Sequence, residues 1–91
     1  MTIKRTTIVN KTGLHARPAS QFTREANQFN ADITVVNCEN GKEGNAKSII
    51  NVIAMGLVKG IEVEIRAEGD DEQQAVDALT ALIDSGFGEN E

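Results

Sequence analysis

One histidine, one proline and an arginine stand together in Gly13-Leu14-His15-Ala16-Arg17-Pro18-Ala19, and the chain has no other His or Pro. Histidine is the side-chain type whose charge changes near neutral pH, and its neutral ring nitrogen is a nucleophile toward a phosphoryl group. The residues before the stretch read as a strand and those after it as a helix, which puts His15 at a strand-to-helix junction. A helix N-terminus carries unpaired N–H groups and a partial positive charge that suit a phosphate. Arg17 adds a guanidinium that can hold phosphoryl oxygens. A phosphohistidine made there stays labile and hands its phosphoryl group on. The sequence offers no second histidine, no carboxylate-rich metal cluster and no Walker-type loop. One His and one Cys are too few ligands for a metal site. Type and position therefore point to a transient phosphoryl acceptor. The plain alternative is a surface or capping histidine.

The elements that position this stretch follow from patterning. Ile3 to Val9 is rich in Thr, Ile and Val, and Asn10-Lys11-Thr12-Gly13 are turn formers, so a strand is expected over residues 2–9. A helix is expected from near Ala16, with Pro18 in its first turn, where a missing N–H costs nothing. The residue before a proline avoids helical angles, which places Arg17 at the boundary. Ala19, Phe22, Ala26 and Phe29 share one helical face, and the helix should stop between Asn27 and Asn30. A second strand is expected over Asp32 to Cys38, with Ile33 and Val35 on one face and Thr34 and Val36 on the other. A turn follows at Glu39-Asn40-Gly41-Lys42, then a short strand within Lys42 to Asn45. Ser48 is an N-cap candidate for a short helix to Met55, with Ile49, Val52 and Ile53 able to face the core, Ile50 on another side and Gly56 as its stop. Ile61, Val63, Ile65 and Ala67 alternate with Glu62, Glu64, Arg66 and Glu68, the pattern of a strand with one wet face. The last helix starts at Gly69-Asp70-Asp71. Asp70 with Gln73, or Asp71 with Gln74, resembles a capping box. Val76, Leu79 and Ile83 form its stripe, widened by Ala75 and Leu82; Gly86 ends it, and Phe87 to Glu91 read as a frayed tail.

The order βαββαβα implies an α/β (α+β) two-layer open-faced sandwich, one amphipathic sheet with three helices on its apolar face. Ninety-one residues suit a single domain, residues 1–91. With no Trp, no Tyr and three Phe, the core must be aliphatic. A formal charge of −5 disfavours direct binding to nucleic acid. The longest apolar run, Val52 to Val58, is too short for membrane insertion. The single Cys38 fits a reducing compartment, and no signal peptide is visible, so a cytoplasmic protein is expected.

The motif Gly13-Leu14-His15-Ala16-Arg17-Pro18-Ala19, with Lys47-Ser48-Ile49-Ile50-Asn51-Val52 and Gly60-Ile61-Glu62-Val63-Glu64-Ile65, resembles the HPr family, the histidine-containing phosphocarriers of the bacterial phosphoenolpyruvate:sugar phosphotransferase system. The resemblance covers nearly the whole chain. It implies an open-faced sandwich with a four-stranded antiparallel sheet. It implies that His15 accepts phosphate on Nδ1 from phosphorylated enzyme I, which takes it from phosphoenolpyruvate, and donates it to the IIA units of sugar permeases. Arg17 would interact with the phosphoryl group, and Ala16 and Pro18 would shape the helix start. Ser48 matches the serine that HPr kinase/phosphorylase modifies with ATP, which lowers phosphate acceptance at His15 and recruits a catabolite-control transcription factor. Ser20, Arg24, Lys47, Ile49, Ile50 and Ile53 would meet partners. No metal or other cofactor is implied, the protein is a stoichiometric carrier rather than an enzyme, and a monomer is the default.

Ser48 also has a plain reading, as an N-cap serine. Phosphorylation there would place negative charge at a helix start and act by repelling an acidic partner more than by unfolding. Ile50 and Ile53 form a candidate docking patch, with core as the alternative for Ile53. Arg17, Arg24 and Lys47 would give it a basic rim, with scattered solvated charge as the alternative. Two features depart from the family pattern: the segment Cys38 to Ala46 is longer, and Asn51 stands where a small residue is expected. Competing functions are a regulatory module of the same fold working through Ser48, a kind that lacks the histidine, and an unrelated ligand-binding or metal-binding sandwich.

Overall fold

A computed structural model describes residues 1–89. In chain order the elements are β1 (Thr2–Thr7), α1 (Ala16–Ala26), β2 (Asp32–Asn37), β3 (Glu43–Asn45), α2 (Ile49–Ala54), β4 (Glu62–Glu68) and α3 (Glu72–Asp84), then a 3₁₀ turn at Gly86–Gly88. The strands form one antiparallel sheet in the order β1-β4-β2-β3. The expected βαββαβα sandwich is what the chain adopts. The first strand ends two residues early, yet Ile8 still exchanges backbone hydrogen bonds with the 60–61 segment (Ile8 N to Ile61 O 2.9 Å, Gly60 N to Ile8 O 2.8 Å).

The helix-facing side of the sheet carries Ile33, Val35, Val63, Ile65 and Ala67, all buried against Phe22, Val52, Val76, Leu79 and Ile83 from the helices. Phe22 alone is worth roughly 2–3 kcal/mol of apolar burial. β1 is different. Its side chains are half-buried or exposed from Thr2 to Thr7. Its helix-facing residues meet the acidic edge of α3: Thr2 Oγ1 donates to Glu72 (2.6 Å), Lys4 pairs with Asp77 (3.7 Å), and Thr6 Oγ1 donates to Asp84.

Three expectations need correction. Glu64 is not solvated: it is 6% exposed on the open face, where Arg5 (2.9 Å) and Arg66 both donate to its carboxylate and hold it ionised below its ordinary range. The two guanidiniums, not water, supply its hydrogen bonds. The capping boxes do not form. Asp71 is the N-cap of α3 without a side-chain cap bond, and its carboxylate instead accepts from the backbone N–H of Asn30 (2.8 Å) and Ala31 (2.9 Å), fixing the loop into β2. The tail is not frayed through residue 89. Phe87 is buried, with φ +56, and Glu89 accepts from Thr12 Oγ1 (2.7 Å). Burying an aromatic ring outweighs the cost of a left-handed residue. Asn90 and Glu91 lie outside the described residues.

Candidate functional site

The loop before α1 is built so that His15 points out while its neighbours are pinned. Gly13 has φ +69 and packs on the 57–58 backbone so closely that a Cβ there would lie 2.4 Å from the Leu57 oxygen and 2.8 Å from Val58 Cα. Only glycine satisfies both conditions. Leu14 is buried and its N–H donates to the same Leu57 oxygen (2.8 Å). From below, the buried Asn10 closes the turn: its Nδ2 donates to Gly13 O (2.9 Å), and its own carbonyl accepts from Gly13 N (3.2 Å). On the far side Pro18 and Ala19 are buried within the first turn of α1. Between these anchors, His15, Ala16 and Arg17 are exposed.

His15 is the N-cap of α1 in extended backbone (φ −137°, ψ 155°) and makes no side-chain cap bond. Nothing from its own side chain therefore occupies the N–H groups of the first turn, which remain donors for an anion. Ala16 has φ +49, a left-handed conformation that costs a residue with a Cβ about 1–2 kcal/mol. So the right-handed helix starts after Ala16, with Arg17 at the boundary beside Pro18, as the sequence pattern requires. The Glu89 carboxyl is held below its ordinary range, chiefly by the Thr12 hydroxyl, with the Thr12 backbone, Asn10 and the charge of Arg17 adding to it.

Ser48 sits at the other end of the helix pair. Its Oγ accepts from Asn51 N (3.3 Å), so it is the N-cap of α2. Asn27, just past α1, donates to Lys47 O (3.1 Å), while the segment after α2 meets Gly13 and Leu14. The helices therefore run antiparallel, and His15 and Ser48 are separated by about the length of α1. Eleven residues span about 16 Å.

α2 offers an apolar surface between these two ends. Ile49 and Ile53 do not face the core as the pattern allowed: they are 40% and 38% exposed, with Ile50 at 77%, and only Val52 and Met55 are buried. Six residues make under two turns, so the buried stripe is narrow. Val58 is also exposed, and its backbone lies against Gly13. Of the expected basic rim, Arg17 stands beside His15. Arg24 lies in a shallow groove with Gln21, Glu25, Gln28 and Leu82, on the side of α1 facing α3. Lys47 is committed elsewhere, donating to Phe29 O (2.6 Å). Ser20 is half-buried one turn along from Arg17. Asn10, Thr12 and Glu89 also shape the loop; the turn composition at 10–13 is a signal for the first two, and nothing in the local pattern marks Glu89. Among the described residues no group of three or more His, Cys, Asp or Glu could hold a metal ion, and no helix is long and apolar enough to cross a membrane. Cys38 is half-buried on the open face near Arg5, and burial pushes its thiol up.

Comparison with known proteins gives consistent results. A family model described as the PTS HPr component phosphorylation site matches residues 3–85. The phosphocarrier protein HPr of Vibrio cholerae is 49% identical over 81 residues, covering 89% of this chain and 93% of its own length. The crystal structure of HPr-C-His from Thermoanaerobacter tengcongensis superposes with a TM-score of 0.95 at 45% identity and covers 100% of both chains. Crh of Bacillus subtilis, a catabolite repression HPr-like protein solved as a domain-swapped dimer, gives 0.74 at 39% identity over 93% of this chain and 95% of its own.

Proposed function

The chain belongs to the HPr family, and we propose that this phosphocarrier of the phosphotransferase system takes its phosphoryl group on His15 from phosphorylated enzyme I and passes it to the IIA units of sugar permeases. The observation that carries the assignment is the exposed His15 on an anchored loop, beside Arg17 and an uncapped helix start. The lone pair of Nδ1 attacks phosphorus; the Nδ1–P bond forms as the donor's bond to phosphorus breaks. The first-turn N–H groups and Arg17 hold the phosphoryl oxygens. Donation reverses these steps onto the acceptor. Ala16 and Pro18 set the start of the helix, and the protein returns unchanged, a stoichiometric carrier needing no cofactor. The cytoplasm is its place of work, and a monomer is its working form. The test is incubation with enzyme I and phosphoenolpyruvate. An acid-labile, base-stable phosphate should appear on the wild type and not on His15→Ala; equal labelling of that variant refutes the assignment.

We read Ser48 as a second input, modified by HPr kinase/phosphorylase with ATP, with a catabolite-control transcription factor as the partner of the modified form. At about 16 Å, a doubly charged phosphate on Ser48 and another on His15 repel by about 1 kcal/mol in unscreened water. Screening over about 8 Å lowers this further. Modification therefore acts on the partner that covers Ile49, Ile50 and Ile53 beside Ser20, and not on His15 directly; Arg24, in its groove toward α3, and Lys47, bound to the Phe29 carbonyl, would have to turn to reach that partner. Labelling by the kinase and ATP should vanish in Ser48→Ala. The presence of His15 weighs against a purely regulatory module.

A further inference from the structure

The two departures from the family pattern, the longer segment 38–46 and Asn51, meet at Ser48. The side chain of Asn51 does two things at once. Its Oδ1 accepts from the backbone N–H of Asn45, the last residue of β3 (3.2 Å). Its Nδ2 donates to Ser48 Oγ (3.1 Å). The backbone N–H of Asn51 donates to the same oxygen (3.3 Å). A hydroxyl oxygen has two lone pairs, and here both have donors. The hairpin is also pressed against α2: a Cβ on Gly44 would lie 2.8 Å from Met55 Sδ and 3.5 Å from Asn51 Cβ. So the amide of Asn51 is held in place by the strand and aimed at the serine.

We infer that Asn51 is a specificity-determining residue for modification of Ser48, a lock that lowers the reactivity of its hydroxyl. The inference rests on the Ser48 reading above. In the transfer from ATP, the Ser48 Oγ–phosphorus bond forms, the bond from that phosphorus to the ADP oxygen breaks, and the hydroxyl proton passes to a base on the kinase. Attack needs a lone pair of Oγ aimed at phosphorus. The N–H bond from residue 51 belongs to any N-capping serine, whereas the Nδ2 bond exists only because residue 51 is asparagine. A small residue leaves one lone pair free.

The experiment compares wild type with Asn51→Ala as substrates for HPr kinase/phosphorylase with ATP and Mg²⁺. Asn51 is exposed, and thermal melting checks that both proteins are folded. The variant should be labelled about fivefold faster, the worth of one net hydrogen bond. Labelling of the wild type with an equal or slower rate in the variant overturns the lock and leaves the Ser48 reading in place. No labelling of either protein removes the Ser48 reading, and the lock with it. A measurement on the wild type alone gives a second check. The side-chain amide hydrogens of Asn51 should exchange with water more slowly than those of an unconstrained asparagine, and equal exchange is a result against the lock.

Discussion

Gly13→Ala tests the anchoring of the His15 loop most directly, because the two costs of a methyl group there can be separated. The first is conformational: with φ +69, a residue with a Cβ loses about 1–2 kcal/mol. The second is spatial. The added carbon would lie 2.4 Å from the Leu57 oxygen and 2.8 Å from Val58 Cα, both backbone atoms, so no side-chain rotation relieves it. Relief requires the 57–58 segment to move, which breaks the hydrogen bond from Leu14 N to Leu57 O (2.8 Å) and unseats buried Leu14. Overpacking of this kind adds about 1–3 kcal/mol. The sum, about 2–5 kcal/mol, is a Tm loss on the order of 10–30 °C for a chain of this size. Gly41→Ala is the control. It has a similar φ of +77 and nothing within 4 Å of the added carbon, so only the conformational cost applies. Calorimetric or circular dichroism melts of both variants give the stability difference, and enzyme I-dependent labelling of His15 gives the functional one. Gly13→Ala should melt well below Gly41→Ala and accept phosphate more slowly even where folded. Equal melting of the two variants would falsify the close-approach argument.

Acid should loosen the contact between β1 and α3. Glu72 is pulled down to about 2 from 4.5, chiefly by the Thr2 hydroxyl, so its contribution to stability is present above about pH 4.5 and is lost as pH falls toward 2. Urea melts between pH 5 and 2 should show a shallower loss in Glu72→Gln than in wild type, and identical slopes would remove Glu72 from the account. Ile50→Ser should leave stability within about 0.5 kcal/mol, since the side chain is 77% exposed, yet weaken binding to enzyme I in titration calorimetry. Unchanged affinity would exclude Ile50 from the docking surface. Phe87→Ala should cost about 3–5 kcal/mol, as expected for a buried ring. A tail that truly frayed would show no change.

The fold was legible because its periodicities are clean. The alternation from Ile61 to Glu68 fixes a one-sided strand, and the stripe Val76, Leu79, Ile83 fixes the last helix. His15 and Ser48 were legible because residue type and position at a helix start coincide. The rest depended on long-range partners that local patterning does not contain. Glu64 is a polar position in its strand and becomes buried only because Arg5, 59 residues away, and Arg66 fold over it. Asp71 has the residue type of a cap but spends its carboxylate on the backbone of Asn30 and Ala31. Ile49 and Ile53 could be read as core or as surface, because hydrophobicity alone cannot tell a buried face from an exposed apolar one on so short a helix, and the structure leaves both partly exposed.

The sheet order also governs how the chain comes off the ribosome. Of the sheet's four strands β1 is made before the others, and it pairs in the sheet with β4, in a register that joins Thr2 to Ala67. At about 5–20 residues per second, Thr2 waits roughly 3–13 s for that partner to be synthesised. The strand can wait because, Ile3 apart, its side chains carry charge or hydroxyl groups, and none of them belongs to the buried core. β4, paired on both sides, is the strand whose arrival lets the sheet close, and the His15 loop gains its Leu57 support from the segment translated just before it. A nascent chain stalled before residue 57 therefore carries the histidine but not the scaffold that presents it.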